Sequence, residues 1–219
     1  MVDSISIIGA GGRAGSALSA RLRERGIPLT EDGDLILLCV PDRSIHEVAA
    51  KIEPGPWVAH VSGATPLAAL DPHTRRFSLH PLQTLVAWRG PEQLDGAYAA
   101  VTAETDEARK VGFWLAGQLG LRPFELADSS RRLYHAGAVI ASNYLVTLYR
   151  TAAALVGEAG APPEALVPLM TRTIENGFEL TGPISRGDWE TVEAHLEALH
   201  DHHPDLEPVY RVLAEATRP

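Results

Sequence analysis

Ser4-Ile5-Ser6-Ile7-Ile8-Gly9-Ala10-Gly11-Gly12-Arg13-Ala14-Gly15 is the stretch that decides the fold. The β-branched run to Ile8 reads as a strand and the glycines as a tight turn, while Ala17, Leu18, Ala20, Arg21 and Leu22 recur behind them at helical spacing. Strand, glycine turn and helix in that order bring free backbone N–H groups and the positive end of a helix dipole to where a pyrophosphate can lie. Two glycine registers compete: Gly9-x-Gly11 followed by Ala14, and Gly9-x-x-Gly12-x-x-Gly15, of which the second aligns better with the small residues of the helix. Gly9, Ala10, Gly11, Gly12, Arg13, Ala14 and Gly15 are therefore candidate cofactor-binding residues, against the plainer reading of a structural turn.

Working outward, Asp34-Leu35-Ile36-Leu37-Leu38-Cys39-Val40 is almost wholly apolar and stops at Pro41-Asp42, as a strand covered on both faces does. A helix from about Ser44 to Lys51 should follow, capped through Asp42 or Ser44. Trp57 to Val61, Arg76 to Leu79 and Tyr98 to Val101 read as further strands, and Asp106 to Leu119 as an amphipathic helix. Alternating strands and helices predict an α/β fold with a doubly wound parallel sheet. From Asp128 onward no strand is expected. Asp128-Ser129 supplies cap chemistry for a helix running to about Gly157, roughly 40 Å long at 1.5 Å per residue. Pro162-Pro163, Gly182-Pro183, Asp188 and Pro204 punctuate further helices. The expected organisation is a compact, truncated Rossmann-like domain over 1–127 and an all-helical C-terminal domain over 128–219.

The truncation follows from chain length. Only Ile27-Pro28-Leu29-Thr30-Glu31-Asp32-Gly33-Asp34 separates the first helix from the next buried strand, far too little for a second strand, a helix and a third strand. Glu31 or Asp32 stands where a ribose-binding carboxylate would be, about 20 residues beyond the glycines. A plain acidic turn accounts for these residues more simply, and weakened, absent or altered cofactor binding follows as a live expectation.

Composition narrows the partners. The 219 residues include 19 Lys+Arg and 28 Asp+Glu, a net charge of -9 that disfavours nucleic acid and anionic membranes and leaves a small molecule as the expected ligand. With 45% hydrophobic residues the chain can bury a core. The single cysteine, Cys39, reads as a small buried hydrophobe, and the amino terminus lacks the pattern of a secretion signal, so a cytoplasmic location is expected. Leu133 to Tyr149 carries no Asp, Glu, Lys or Arg, but His135, Ser142, Asn143 and Thr147 interrupt it, so a buried helix is expected there in preference to a membrane span.

Several stretches resemble the 6-phosphogluconate dehydrogenase-like superfamily, and more closely a branch of short two-domain proteins within it. They are Ile8-Gly9-Ala10-Gly11 with Arg13-Ala14-Gly15, Leu37-Leu38-Cys39-Val40-Pro41-Asp42, His60-Val61-Ser62-Gly63-Ala64, and Ser78-Leu79-His80-Pro81-Leu82-Gln83. Tyr134-His135 with Ala141-Ser142-Asn143-Tyr144-Leu145, and Thr181-Gly182-Pro183-Ile184-Ser185-Arg186-Gly187-Asp188, complete the set. The resemblance implies a nicotinamide cofactor, NADP or NAD, over Gly9 to Gly15 and Val40-Pro41. It also implies oxidation or reduction of a small carbonyl or hydroxy compound between two domains, with ketopantoate reduction the favoured single activity. Hydroxyacid dehydrogenases of the superfamily carry a lysine and an asparagine one turn apart on the first helix of the second domain. Asn143 matches the asparagine, whereas Val139 occupies the lysine position.

Another group must then transfer the proton. His80 stands at the carboxyl edge of the sheet, where open α/β folds bind ligands, and His135 lies two helical turns before Asn143; both are candidate acid–base groups, as both are candidate packing residues. Ser62, Gly63 and Ala64 end another strand at that edge and could bind cofactor or substrate, or form a simple turn. Asn143 could orient the substrate oxygen or make an interhelical hydrogen bond. Arg186 could clamp a carboxylate or pair with an acidic neighbour. His195, His200, His202 and His203 cluster near a helix end without cysteine, and no metal site is expected.

Two functions compete at this stage. One is an NAD(P)-dependent oxidoreductase, a homodimer joined through its helical domain. The other is a non-catalytic ligand-binding or regulatory protein with a degenerate pocket. A deazaflavin in place of the nicotinamide is a third possibility.

Overall fold

The computed structural model describes residues 2–218. Six strands, β1 (Ile5–Ile8), β2 (Leu35–Leu38), β3 (Trp57–His60), β4 (Arg76–Leu82), β5 (Tyr98–Ala103) and β6 (Arg122–Glu125), form one sheet in that spatial order. β1 to β4 pair in parallel, β5 runs antiparallel to β4, and β6 is parallel to β5. The sheet is therefore mostly parallel, with one reversal that the alternation of strands and helices did not disclose.

Side chains alternate between two apolar layers, as the pleat requires. Leu35, Leu37, Trp57, Ala59, Phe77 and Leu79 point to the layer covered by α1 (Arg13–Glu24) and α3 (Asp106–Gln118). Leu38 and Val58 point to the opposite layer with Ile45 of α2 (Ile45–Ala49) and Leu67 and Leu70 of a 3₁₀ turn, Leu67–Leu70. Helical cover on both faces makes the sheet doubly wound, and it explains why β2 is an unbroken apolar run.

The short Ile27–Asp34 segment contributes a single bridge, Ile5↔Leu29, on the far side of β1. Ile5 N donates to the Pro28 carbonyl at 2.9 Å, and Thr30 N to the Ile5 carbonyl at 3.0 Å. The chain thus leaves β1 on one side, touches it as a vestigial strand, and crosses to β2 on the other. Gly33 permits the crossing, since a Cβ there would collide with the Ser6 amide and come within 2.7 Å of the Ile5 carbonyl carbon. The reversal of strand order that opens a ligand crevice survives at the carboxyl ends of β1 and β2.

Two sequence expectations need correction. β6 was not anticipated, because Arg122-Pro123-Phe124-Glu125 has neither alternation nor an apolar run; proline is tolerated there because β6 is an edge strand. The helix expected to be buried is not. After a 3₁₀ turn, Asp128–Ser130, it runs as α4 (Arg131–Val139), a π-helical turn (Ile140–Tyr144) and α5 (Leu145–Glu158), long and apolar enough to cross a membrane, with none of its apolar window buried. Leu133 is 81% exposed and Ile140 60%. Only Arg131, in the first turn, is buried.

Contacts divide the chain into a unit from Met1 to Thr147 and a unit from Leu148 to Pro219, so α4 and the π turn group with the sheet, twenty residues past the change of character at Asp128. The second unit contains the end of α5, then α6 (Leu166–Glu175), α7 (Trp189–His202) and α8 (Glu207–Ala216). Asp188 caps α7 as expected, accepting from Thr191 N at 3.2 Å. Val192, Leu196 and Ala214 form a small core between α7 and α8, while Val167, Leu169, Ile174, Phe178 and Val212 remain exposed.

Candidate functional site

Gly9 adopts φ +91°, a left-handed conformation that side chains disfavour, and a Cβ there would strike the Cys39 carbonyl of the neighbouring strand end. A Cβ on Gly15 would strike the Gly9 carbonyl, whereas Gly11 has nothing within 4 Å. Of the two glycine registers, Gly9 with Gly12 and Gly15 is therefore the one that the packing needs. Gly12 is the residue before α1, its N–H donates to the Gly9 carbonyl at 3.0 Å, and no side chain caps the helix. Residues 9–13 are all exposed. The loop is unplugged, and the first-turn amides of α1 have no intrahelical acceptor. These are features a diphosphate needs, so the residues fit a dinucleotide.

Strand register aligns the other candidates along the same edge. Ile8 pairs with Leu38, Leu38 with His60, and His60 with Ser78. The segments immediately beyond, Gly9 to Gly12, Val40 to Asp42, Ser62 to Thr65, and His80, consequently follow one another across the carboxyl ends of β1 to β4. An open depression of about 290 Å³ flanks the loop, lined by Ala10, Ser19, Arg23, Thr30 and Glu31 among others. Glu31 is thus near the place sequence distance suggested, while Asp34 is occupied by the amides of Asp3 and Ser4 at 3.0 and 3.1 Å. Those bonds hold its carboxyl below the usual range.

A polar patch occupies the α2-side face of the sheet where β3, β4 and β5 meet. The pleat turns His60, Ser78, His80 and Thr102 to this one side, because His60 pairs with Ser78, Ser78 with Thr102, and apolar neighbours fill the alternate positions. Arg131, 1% exposed, enters from α4. Its guanidinium donates from Nη1 to Ser78 Oγ at 2.5 Å and Thr102 Oγ1 at 2.9 Å, and from Nη2 to the Ser62 carbonyl. Its nearest carboxylate oxygen, on Asp128, is 3.9 Å from Nε. Asp128 does not cap its own helix, as the sequence suggested; it accepts from Leu67 N at 3.0 Å and so caps the 3₁₀ turn that supports β3.

His80 Nδ1 is 2.7 Å from the Tyr134 hydroxyl oxygen. Its ring lies edge-on to Tyr134, with centroids 5.5 Å apart, and to His135, with centroids 6.1 Å apart. Both imidazoles close on Gly63. A Cβ there would come within 2.6 Å of His135 Cδ2 and 2.9 Å of His80 Cε1 and Nε2. Burial, then the neighbouring His135 and Arg131, lower the His80 pKa to about 4, opposed by Asp42. Burial and Arg131 lower that of His60, whose Nδ1 accepts from Ser62 N at 3.2 Å, to about 3. Burial raises the Tyr134 hydroxyl to about 12 and the Cys39 thiol to about 12, so neither is ionised near neutrality.

Ser62 is fully engaged within the protein. Its hydroxyl is 2.8 Å from Asp42 Oδ2 and accepts from Thr65 N at 3.0 Å and Ala64 N at 3.2 Å. Asp42 is consequently a partner of the Ser62 turn, and neither it nor Ser44 supplies the helix cap expected of them. The structure thus brings together Gly9 to Gly15 with Val40, and Ser62 to Ala64 with His80 and His135. Asn143 is exposed on the π turn, where its Oδ1 accepts from Ser142 Oγ at 3.3 Å. Arg186 belongs to the second unit, exposed beside Asp188, whose carboxyl it helps to lower. His195, His200 and His203 each contact a tyrosine or a glutamate, and no group of three potential ligands occurs among the described residues.

Sequence reasoning missed Arg131 and Tyr134 as site residues. An arginine at a helix start resembles an exposed charge, and the only available signal was Tyr134 standing beside His135 in the resemblance.

Solved structures share this fold. A candidate NADP oxidoreductase from Bacteroides fragilis, BF3122, aligns with a TM-score of 0.80 at 21% identity over 98% of this chain and 97% of that one. Protein TM1727 from Thermotoga maritima aligns at 0.72 and 20% identity over 98% and 100%. A semialdehyde dehydrogenase NAD-binding protein from Cupriavidus necator, solved with calcium and NAD, aligns at 0.63 and 22% over 99% of each chain. At these identities the likeness is one of fold. No curated protein matches the sequence. Residues 97–217 match the model of the family described as Domain of unknown function (DUF2520), more than half of the chain, and the protein belongs to that family.

Proposed function

We propose that the protein is an NAD(P)-dependent oxidoreductase acting on a small carbonyl or hydroxy compound. The observation that carries this reading is the open glycine cradle, shaped by Gly9 and Gly15, on the same sheet edge as the half-buried His80–Tyr134 pair. Gly9 to Gly15, Val40 and Pro41 would hold the dinucleotide, with its adenosine end toward the depression beside Ala10 and Glu31. When bound, the nicotinamide supplies or accepts the hydride.

The chain's own residues supply position and proton. The His80 ring packs against the Gly63 backbone, and His80, neutral at physiological pH, would donate a hydrogen bond and a proton from its Nε2 edge to a substrate oxygen brought to it. His135 packs on the same backbone. Such an imidazole acid suits a chain with Val139 at the lysine position of the 6-phosphogluconate dehydrogenase-like group, to which we assign the protein. Within that group, reduction of a small 2-oxo compound of the ketopantoate type fits best. Asn143 would contact substrate, Arg186 would bind an anionic group, and a second copy of the chain would cover exposed apolar residues such as Leu133 and Phe178.

Titration with NADPH and NADH, read by nicotinamide fluorescence, tests the reading. Saturable micromolar binding of either is expected. Lack of binding by both at high micromolar concentration would overturn it in favour of a non-catalytic binding protein with a vestigial second strand, and binding of a deazaflavin alone would change the cofactor.

A further inference from the structure

We propose that Tyr134 is the positioning residue that makes His80 an acid: its hydroxyl donates to Nδ1 and so fixes the imidazole proton on Nε2, the nitrogen that faces Gly63. The proposal rests on the oxidoreductase reading for its purpose and on geometry for its substance. Two arrangements satisfy the 2.7 Å separation, Tyr134 O–H to Nδ1 or Nδ1–H to the tyrosine oxygen. In the second, the hydroxyl proton would need another acceptor, and among the described residues it has none. In the first, every polar hydrogen of the pair except Nε2–H is accounted for, since the one side-chain hydrogen bond of His80 among those residues is the one through Nδ1. That Nε2 edge packs on the Gly63 backbone, close enough that a Cβ there would be 2.9 Å away. Phe124 and His80 both lie edge-on to the Tyr134 ring, with centroids 6.0 and 5.5 Å away, and hold the hydroxyl in place.

The groups facing His80 favour its neutral form. His135, Arg131 and His60 disfavour a charged imidazole, Asp42 alone favours one, and the tyrosine keeps its proton. When a substrate carbonyl carbon accepts hydride from the reduced nicotinamide, the electron pair of the C=O bond moves to oxygen. The oxygen takes the Nε2 proton, and Nδ1 takes the tyrosine proton. The imidazole ends neutral in its other tautomer, and a tyrosinate, a much weaker base than the alkoxide, is left facing Arg131 until water reprotonates it. No imidazolium has to form in this buried site.

The test uses the whole protein with ¹⁵N-labelled histidine. In the wild type at pH 7, the His80 Nδ1 resonance should show an unprotonated hydrogen-bonded nitrogen and Nε2 a protonated one. In Tyr134→Phe the tautomers should mix, and the His80 titration midpoint should rise by at least half a pH unit, because a hydrogen bond to the neutral form has been removed. Tyr134→Leu gives the same reading if the Phe variant folds poorly, and the wild-type spectrum needs no variant. A proton on Nδ1 in the wild type, or a tautomer unchanged in Tyr134→Phe, overturns the proposal. NADPH fluorescence titration of the same two proteins separates the readings: failure to bind sinks the oxidoreductase assignment and leaves the tautomer result standing.

Discussion

The guanidinium of Arg131 donates to the backbone carbonyl of Ser62, 69 residues earlier in the chain, and this bond ties the start of α4 to the end of β3. The same guanidinium reaches Ser78 and Thr102, so one side chain joins three strands and a helix beneath the candidate site. It also places a positive charge close to the buried His60 and the half-buried His80 imidazoles.

Replacing Arg131 should therefore do two separable things. Arg131→Met should cost on the order of 3 kcal/mol in urea unfolding, since three acceptors lose their donor. It should also raise the His80 and His60 midpoints, because the arginine charge lowers both. Arg131→Lys should lose stability while leaving the midpoints closer to wild type. Histidine NMR titration distinguishes the two; unchanged midpoints in the Met variant would refute the electrostatic part.

The glycine loop makes a graded prediction. Gly9→Ala and Gly15→Ala meet backbone atoms and should each cost about 1–3 kcal/mol, lowering Tm and weakening NADPH binding by tenfold or more. Gly11→Ala meets nothing within 4 Å and should change Tm little. Equal effects at all three positions would show that the cradle is not set by these contacts.

Stability should fall with acidification earlier than carboxylates alone would cause. His60 and His80 have folded pKa values of about 3 and about 4, below the 6.5 of the unfolded chain. Between pH 6.5 and those values the unfolded state binds more protons, so stability is fully present above pH 6.5 and is lost as pH drops through the window. Each histidine contributes a slope of about 1.4 kcal/mol per pH unit well inside it. Urea midpoints measured between pH 6 and 5 should fall accordingly, and His80→Asn should flatten the slope by roughly half.

Gly63→Ala probes the close packing of the imidazoles on this backbone. A Cβ would press on His135 Cδ2 and on the Nε2 edge of His80, whose ring is also held through Nδ1 by Tyr134. The fold should survive with a drop in Tm of a few degrees, while the ¹H–¹⁵N signals of His80 and His135 shift. Unmoved histidine signals would mean that the packing is looser than the structure shows.

Much of the architecture could be read from residue order because it rests on local periodicity. β1, the glycine turn and α1 follow from adjacent residues, and the unbroken apolar run Leu35–Leu38 announces a strand covered on both faces. The shortness of Ile27 to Asp34 was visible as simple length. β6 was not legible, because an edge strand with proline is set by the neighbour it pairs with and carries no alternation of its own. The exposure of α4 and α5 was not legible either, because an apolar helix has the same sequence whether or not anything covers it.

The candidate site divides along the same line. His80 could be picked out as a histidine at a strand's carboxyl end, and Gly9 to Gly15 as a phosphate cradle, since each depends on neighbours in sequence. What those residues do depends on Tyr134, Arg131, Asp42 and Gly63, drawn from three distant segments. Strand register and the entry of α4 bring these groups within a few ångströms of one another. Protonation and hydrogen-bond direction are set at that range, by burial and nearby charge, and no spacing along the chain encodes them.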